Sequence, residues 1–138
     1  MVEKLKFDKN FVPCEVGDGD EVFRNGIFHF NISKLIFQLN SKTVDVALSE
    51  MNVSDFYSDF SRVNEDHIDT VDLTTPVILA EIAPSRYNLI DGNHRVEKAR
   101  RVGIKTLPCY KLTVGQHLPF LLGKSAYESY VEYWNSKI

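Results

Sequence analysis

Cysteine is scarce in this chain. There are two, Cys14 and Cys109, with no C-x-x-C pair and no Cys/His spacing of the kind that holds zinc. Neither a zinc site nor a disulfide framework is expected. Long apolar runs are also missing. No stretch approaches the ~18 consecutive apolar residues a membrane span needs, and no apolar run follows residues 1–6 as a secretory leader would require. The expectation is a cytoplasmic protein that does not engage a membrane. A strong positive excess is lacking too: the net charge is −3 and the sequence pI about 5.8, which is not the balance of a dedicated nucleic-acid binder. Asp18 and Asp20 offer too few oxygen ligands for an EF-hand. No internal repeat, low-complexity tract, Walker motif or G-x-S-x-G is visible.

What is present suits one packed domain. The 138 residues are 43% hydrophobic and 12% aromatic, enough to bury a core without a metal or disulfide. Charge is distributed unevenly. From Asp45 to Glu81 there are nine acids and one base, Arg62, a net of −8. From Arg86 to Lys105 there are six bases and two acids, Asp91 and Glu97, a net of +4. Either these stretches neutralise each other in the fold, or a basic face is left for an anionic partner.

Asn25-Gly26 marks a tight turn between Glu21–Phe23 and Ile27–Phe30. Asn31 or Ser33 caps a short helix with Ile32, Leu35, Ile36 and Leu39 on one face. Residues 43–51 read as a second helix. Ser54 caps a third with Phe56, Phe60 and Val63 inward, and 64–71 adds a further turn or two. Residues 76–82 then read as a buried strand with Pro76 at its first position. Residues 83–86 turn, 87–90 return, and 93–102 form a helix stopped by Gly103. A strand follows over 107–112. Tyr127, Tyr130, Val131 and Trp134 recur at i, i+3, i+4, i+7 as a helical core stripe.

The helix from Asn93 carries the chemistry. At ~100° per residue, Val96, Ala99 and Val102 share one face, and His94, Glu97, Lys98 and Arg101 fall away from it. Arg95 falls inside the apolar sector. A guanidinium there is costly unless a carboxylate of the chain or a bound anion meets it. It sits in the first helical turn, where free amides and the positive end of the dipole favour an anion. Gly92 allows close backbone approach or an unusual φ, and His94 adds a polar donor. Two readings stand: an anion site, or Asp91 or Asn93 capping the helix while Arg95 pairs with an internal acid such as Glu81. A guanidinium locked onto a carboxylate of its own chain, with the preceding loop closed to solvent, would end the case for a guest.

The order Pro76-Val77, Tyr87–Ile90, Asp91-Gly92-Asn93-His94-Arg95, Ala99, Gly103, Leu107-Pro108 resembles the hallmark order of the ParB/sulfiredoxin superfamily. The likeness covers residues 76–111, and residues 1–75 show none. The resemblance implies one α+β domain over 1–138, a small mixed sheet packed by short helices, with 1–75 as an N-terminal extension packed on the motif unit. It also implies nucleotide phosphates at Gly92, Asn93, His94 and Arg95. Sulfiredoxins carry a cysteine just before the His-Arg pair, and here that position is Asn93, so sulfiredoxin chemistry is not expected. ParB partition proteins carry a DNA-binding domain after this unit. The 27 residues of 112–138 are too few for one, so centromere binding is not expected.

Three functions follow. The first is Mg²⁺-dependent phosphotransfer or NTP hydrolysis on a nucleoside di- or triphosphate. Arg95 and His94 would neutralise developing charge, and Asp91 or Glu81 would serve as metal ligand or general base. The second is a nuclease or DNA-binding module, with Lys98, Arg100, Arg101 and Lys105 on phosphodiesters. The third is a regulatory or interaction domain that binds a nucleotide without turnover.

Overall fold

The computed structural model describes residues 3–42, 45–56 and 63–138. Along the chain, β1 (Val22–Asn25) and β2 (Phe28–Asn31) lead into α1 (Ile32–Asn40). Then come β3 (Leu48–Asn52), α2 (Val53–Phe56) and α3 (Glu65–Ile68). The motif lies in β4 (Val77–Ala83), β5 (Arg86–Asp91), α4 (Asn93–Val102) and β6 (Thr106–Leu112). α5 (Val114–His117), a 3₁₀ turn at Leu118–Phe120 and α6 (Lys124–Ser136) follow. The architecture is α+β. β1 and β2 form a two-stranded sheet, and a second sheet has the order β3-β6-β4-β5. The chain divides into two compact units, 1–45 with 80–87 and 112–138, and 46–79 with 88–111. Residues before 76 are thus shared between the units, and β4 and β5 each contribute to both.

In the first unit the β1–β2 hairpin is antiparallel, with Asn25 opposite Phe28. Its two-residue loop is therefore Gly26-Ile27, one residue later than expected. Asn31 ends β2 and caps α1, accepting from the Lys34 amide at 3.0 Å. It is fully buried, and its amide donates to the Glu15 carbonyl and the Asp20 carboxylate, each at 2.9 Å. One side chain thus fixes both the helix start and the preceding loop. The four aromatic and aliphatic residues of the α6 stripe are all buried. Tyr127 stacks on Phe11 with centroids 4.0 Å apart.

In the second unit β3 runs antiparallel to β6, with Met51 opposite Leu107. This corrects the helix expected over 43–51, of which residues 43–44 lie outside the described residues. Met51 is buried, while Leu48 is 61% exposed. A helical stripe would have had to bury both; the ladder to β6 instead satisfies the backbone and needs only Met51 inside. α2 opens at the buried Val53, so Ser54 lies within it and is not its cap. Phe60 lies outside the described residues. Asn64 caps α3, accepting from the Asp66 amide. β4 keeps the expected buried run, Val77 to Ala80. α4 has the expected bounds and ends on Gly103 at φ 80.

Candidate phosphate site at the start of α4

β5 hands over to α4 at Gly92. Its φ of 118 and ψ of 20 lie in the left-handed region, which disfavours any residue with a Cβ. Packing adds a second constraint, since a Cβ here would stand 2.4 Å from Val77 Cγ1 and 2.8 Å from its Cβ. Gly92 is itself the N-cap and offers no side-chain acceptor. Neither Asp91 nor Asn93 caps the helix. The first turn of α4 stands at the positive end of the helix dipole, which favours an anion.

Arg95 is half-buried as its angle implied, but its own chain satisfies it. One terminal nitrogen donates to Asp91 Oδ2 at 2.9 Å. The other donates to the carbonyls of Thr75 at 2.9 Å and Pro76 at 2.6 Å. The two side chains of the ion pair are 12% and 16% exposed. The internal acid is therefore Asp91, one turn back at i−4, and not Glu81. The pair bolts the end of β5 and the first turn of α4 to the residues entering β4. The buried charge no longer calls for a guest, so that argument for an anion falls.

His94 Nε2 accepts the Asn64 amide at 3.0 Å. A backbone N–H can only donate, which assigns the lone pair to Nε2 and the ring proton to Nδ1. The ring meets His67 edge-on, with centroids 4.8 Å apart. Glu81 belongs to the other unit. Its carboxylate accepts the Ser85 amide at 3.1 Å. Its carbonyl accepts His117 Nε2 at 2.8 Å and the Tyr130 hydroxyl at 2.5 Å. Among the described residues, no group of three or more His, Cys, Asp or Glu side chains could hold a metal. Both cysteines are free thiols.

The basic run meets the acidic stretch inside the fold. Arg100 and Arg101 donate to Glu97 at 2.6 and 2.8 Å. Arg101 also forks onto both oxygens of Glu65 at 2.7 and 2.8 Å. Lys98 donates to the Val71 carbonyl at 3.0 Å. Hydrogen bonding from Arg101 holds the Glu65 carboxyl below its ordinary range. Glu97 is held low chiefly by its bond from Arg100. Lys105 is exposed and offers its carbonyl to the Val53 amide at 2.9 Å. Sequence angle placed Glu97 outward and Val102 inward; Glu97 is 7% exposed and Val102 59%. Two arginines close over the carboxylate, while Val102 is the last residue of the helix.

The structure thus gathers Asp91, Gly92, Asn93, His94 and Arg95 at one helix start. Asn64 and the carbonyls of Thr75 and Pro76 join them unforeseen, because backbone partners leave no trace in residue identity. No protein-family model matches the chain, and no curated protein sequence matches it significantly.

Proposed function

We propose that this chain is a phosphate-binding domain of the ParB/sulfiredoxin type, taking a nucleoside di- or triphosphate with Mg²⁺ at the first turn of α4. The observation that carries the reading is a helix that opens on a left-handed glycine with no side-chain cap. The positive end of its dipole favours an anion at this turn.

Within this reading Arg95 and Asp91 hold the shape of the site through their ion pair. Asp91 Oδ2 is taken by Arg95, so any contact to metal or proton falls to Oδ1. Mg²⁺ would ride on the phosphates, supplying charge neutralisation there, as it does where a protein provides few carboxylates. The commitment of Asp91 and Arg95 to each other favours binding without turnover over phosphotransfer or hydrolysis. The bonds made by Lys98, Arg100 and Arg101 within the fold give the nuclease or DNA-binding reading no support.

Thermal-shift titration with ATP, ADP, CTP and GTP in Mg²⁺ tests the proposal. At ligand about 100-fold above Kd, binding adds roughly 2.7 kcal/mol, a shift of several degrees. Asn93→Asp is the informative variant. A carboxylate in the first turn suits the dipole and should keep or raise stability, yet it repels phosphate. The expected outcome is a stable variant that no longer responds to nucleotide. No response from the wild type to any of the four, or an undiminished response from Asn93→Asp, refutes the site. Product analysis of the responding nucleotide should find it intact.

A further inference from the structure

Asn64–Val71 carries Glu65, Asp66 and Asp69 and no Lys or Arg. It lies along one stripe of α4. His94, Lys98 and Arg101 are spaced i, i+4, i+7 and so share a helix face. The segment meets all three. The Asn64 amide donates to His94, the Val71 carbonyl takes Lys98, and the Glu65 carboxylate takes Arg101. His67 adds its ring edge against His94. Within the segment Ile68 alone is buried. The Glu65 and Arg101 side chains are 69% and 39% exposed. Docking therefore rests on one aliphatic side chain and on contacts that water and salt weaken.

We propose that Asn64–Val71 is an acidic strap, docked on this stripe, which yields when a polyphosphate binds at the start of α4. The inference rests on the phosphate site proposed above and adds its regulation. Strap carboxylates and phosphates are drawn to the same positive field and repel each other. His94 sharpens the conflict, because an Nε2 that accepts from Asn64 cannot also donate to a phosphate oxygen. Linkage makes the opposition reciprocal: the factor by which strap docking weakens phosphate binding is the factor by which phosphate weakens docking.

The test uses the full chain with Mg²⁺ and inorganic pyrophosphate as probe. Amide hydrogen exchange and a binding titration are run on wild type, Glu65→Gln and, as charge control, Glu50→Gln, an exposed acid outside the strap. Pyrophosphate should slow exchange at 93–95 and speed it at 65–71. Glu65→Gln should raise pyrophosphate affinity roughly two- to fivefold, the range an exposed ion pair supports. It should also speed exchange at 65–71 without ligand, while Glu50→Gln changes neither. Pyrophosphate binding that leaves 65–71 unchanged or slower, or equal affinity in Glu65→Gln and wild type, overturns the strap and spares the phosphate site. Absence of binding in all three proteins removes the site and the competition with it.

Discussion

Arg95 donates to Asp91, Thr75 and Pro76, and this sets what its loss should do. Arg95→Ala leaves the Asp91 carboxylate unpaired and frees two carbonyls. Breaking such a pair typically costs ~3–5 kcal/mol; with the side chains 12% and 16% exposed, about 3 kcal/mol is expected. Urea denaturation measures it directly. A loss below about 1 kcal/mol would mean that the pair does not hold the junction. The sequence made the position of this residue legible, because an arginine inside an apolar sector must be satisfied somewhere. It did not make the partner legible. Asp91 had two other natural roles in the reading, cap or metal ligand, and two of the acceptors are peptide oxygens that any residue carries. His94 is a parallel case, since its partner is the amide of Asn64.

At the scale of the element, α4 was the clearest object in the sequence. Its start, its end and its glycine stop all follow from local chemistry that no tertiary contact overrides. The left-handed Gly92 is its most demanding position. Gly92→Ala should destabilise the protein by roughly 2–3 kcal/mol, from backbone strain and the clash with Val77. Trimming Val77 to alanine should not rescue it, because the Val77 Cβ, at 2.8 Å, remains. A thermal melt of the single and double variants decides this; full recovery in the double variant would show that sterics against Val77 Cγ1 is the whole effect. β3 was the least legible element. Only Met51 of its five residues is buried, so neither a two-residue nor a 3.6-residue period declares itself. Its identity comes from the partner strand β6, which a local reading does not see. The inward Glu97 has the same origin: angle and polarity describe one helix, while burial depends on which cations fold over the carboxylate.

For the whole molecule, the uneven charge resolves into contact, with the acidic stretch and the basic run meeting at Glu65 and Arg101. A buried imidazole adds a dependence on pH. His117 is fully buried between Phe30 and Tyr130, each edge-on, and its Nδ1 has no partner among the described residues. Burial pushes its pKa down from 6.5 to about 4, against the opposing effect of its bond to the Glu81 carbonyl. Between those values the unfolded chain binds the proton and the folded chain does not. Stability is therefore full above about pH 6.5 and falls as pH drops toward 4. His117→Gln keeps a donor for the carbonyl and does not titrate, so its melting temperature should fall less steeply over this window. Parallel slopes in the two proteins would assign the loss to other groups. Nothing in the sequence distinguishes His117 from an exposed histidine beside Pro119.

The peptide oxygen of residue 81 receives two donors, His117 and Tyr130, whatever side chain the residue bears. The anchor is thus written in the course of the main chain rather than in a letter of the sequence. Glutamate there can be exchanged for alanine with both donors kept, and an alanine scan would pass over a fixed point of the architecture. Only a change that redirects the strand, such as an inserted residue in β4, would reveal it.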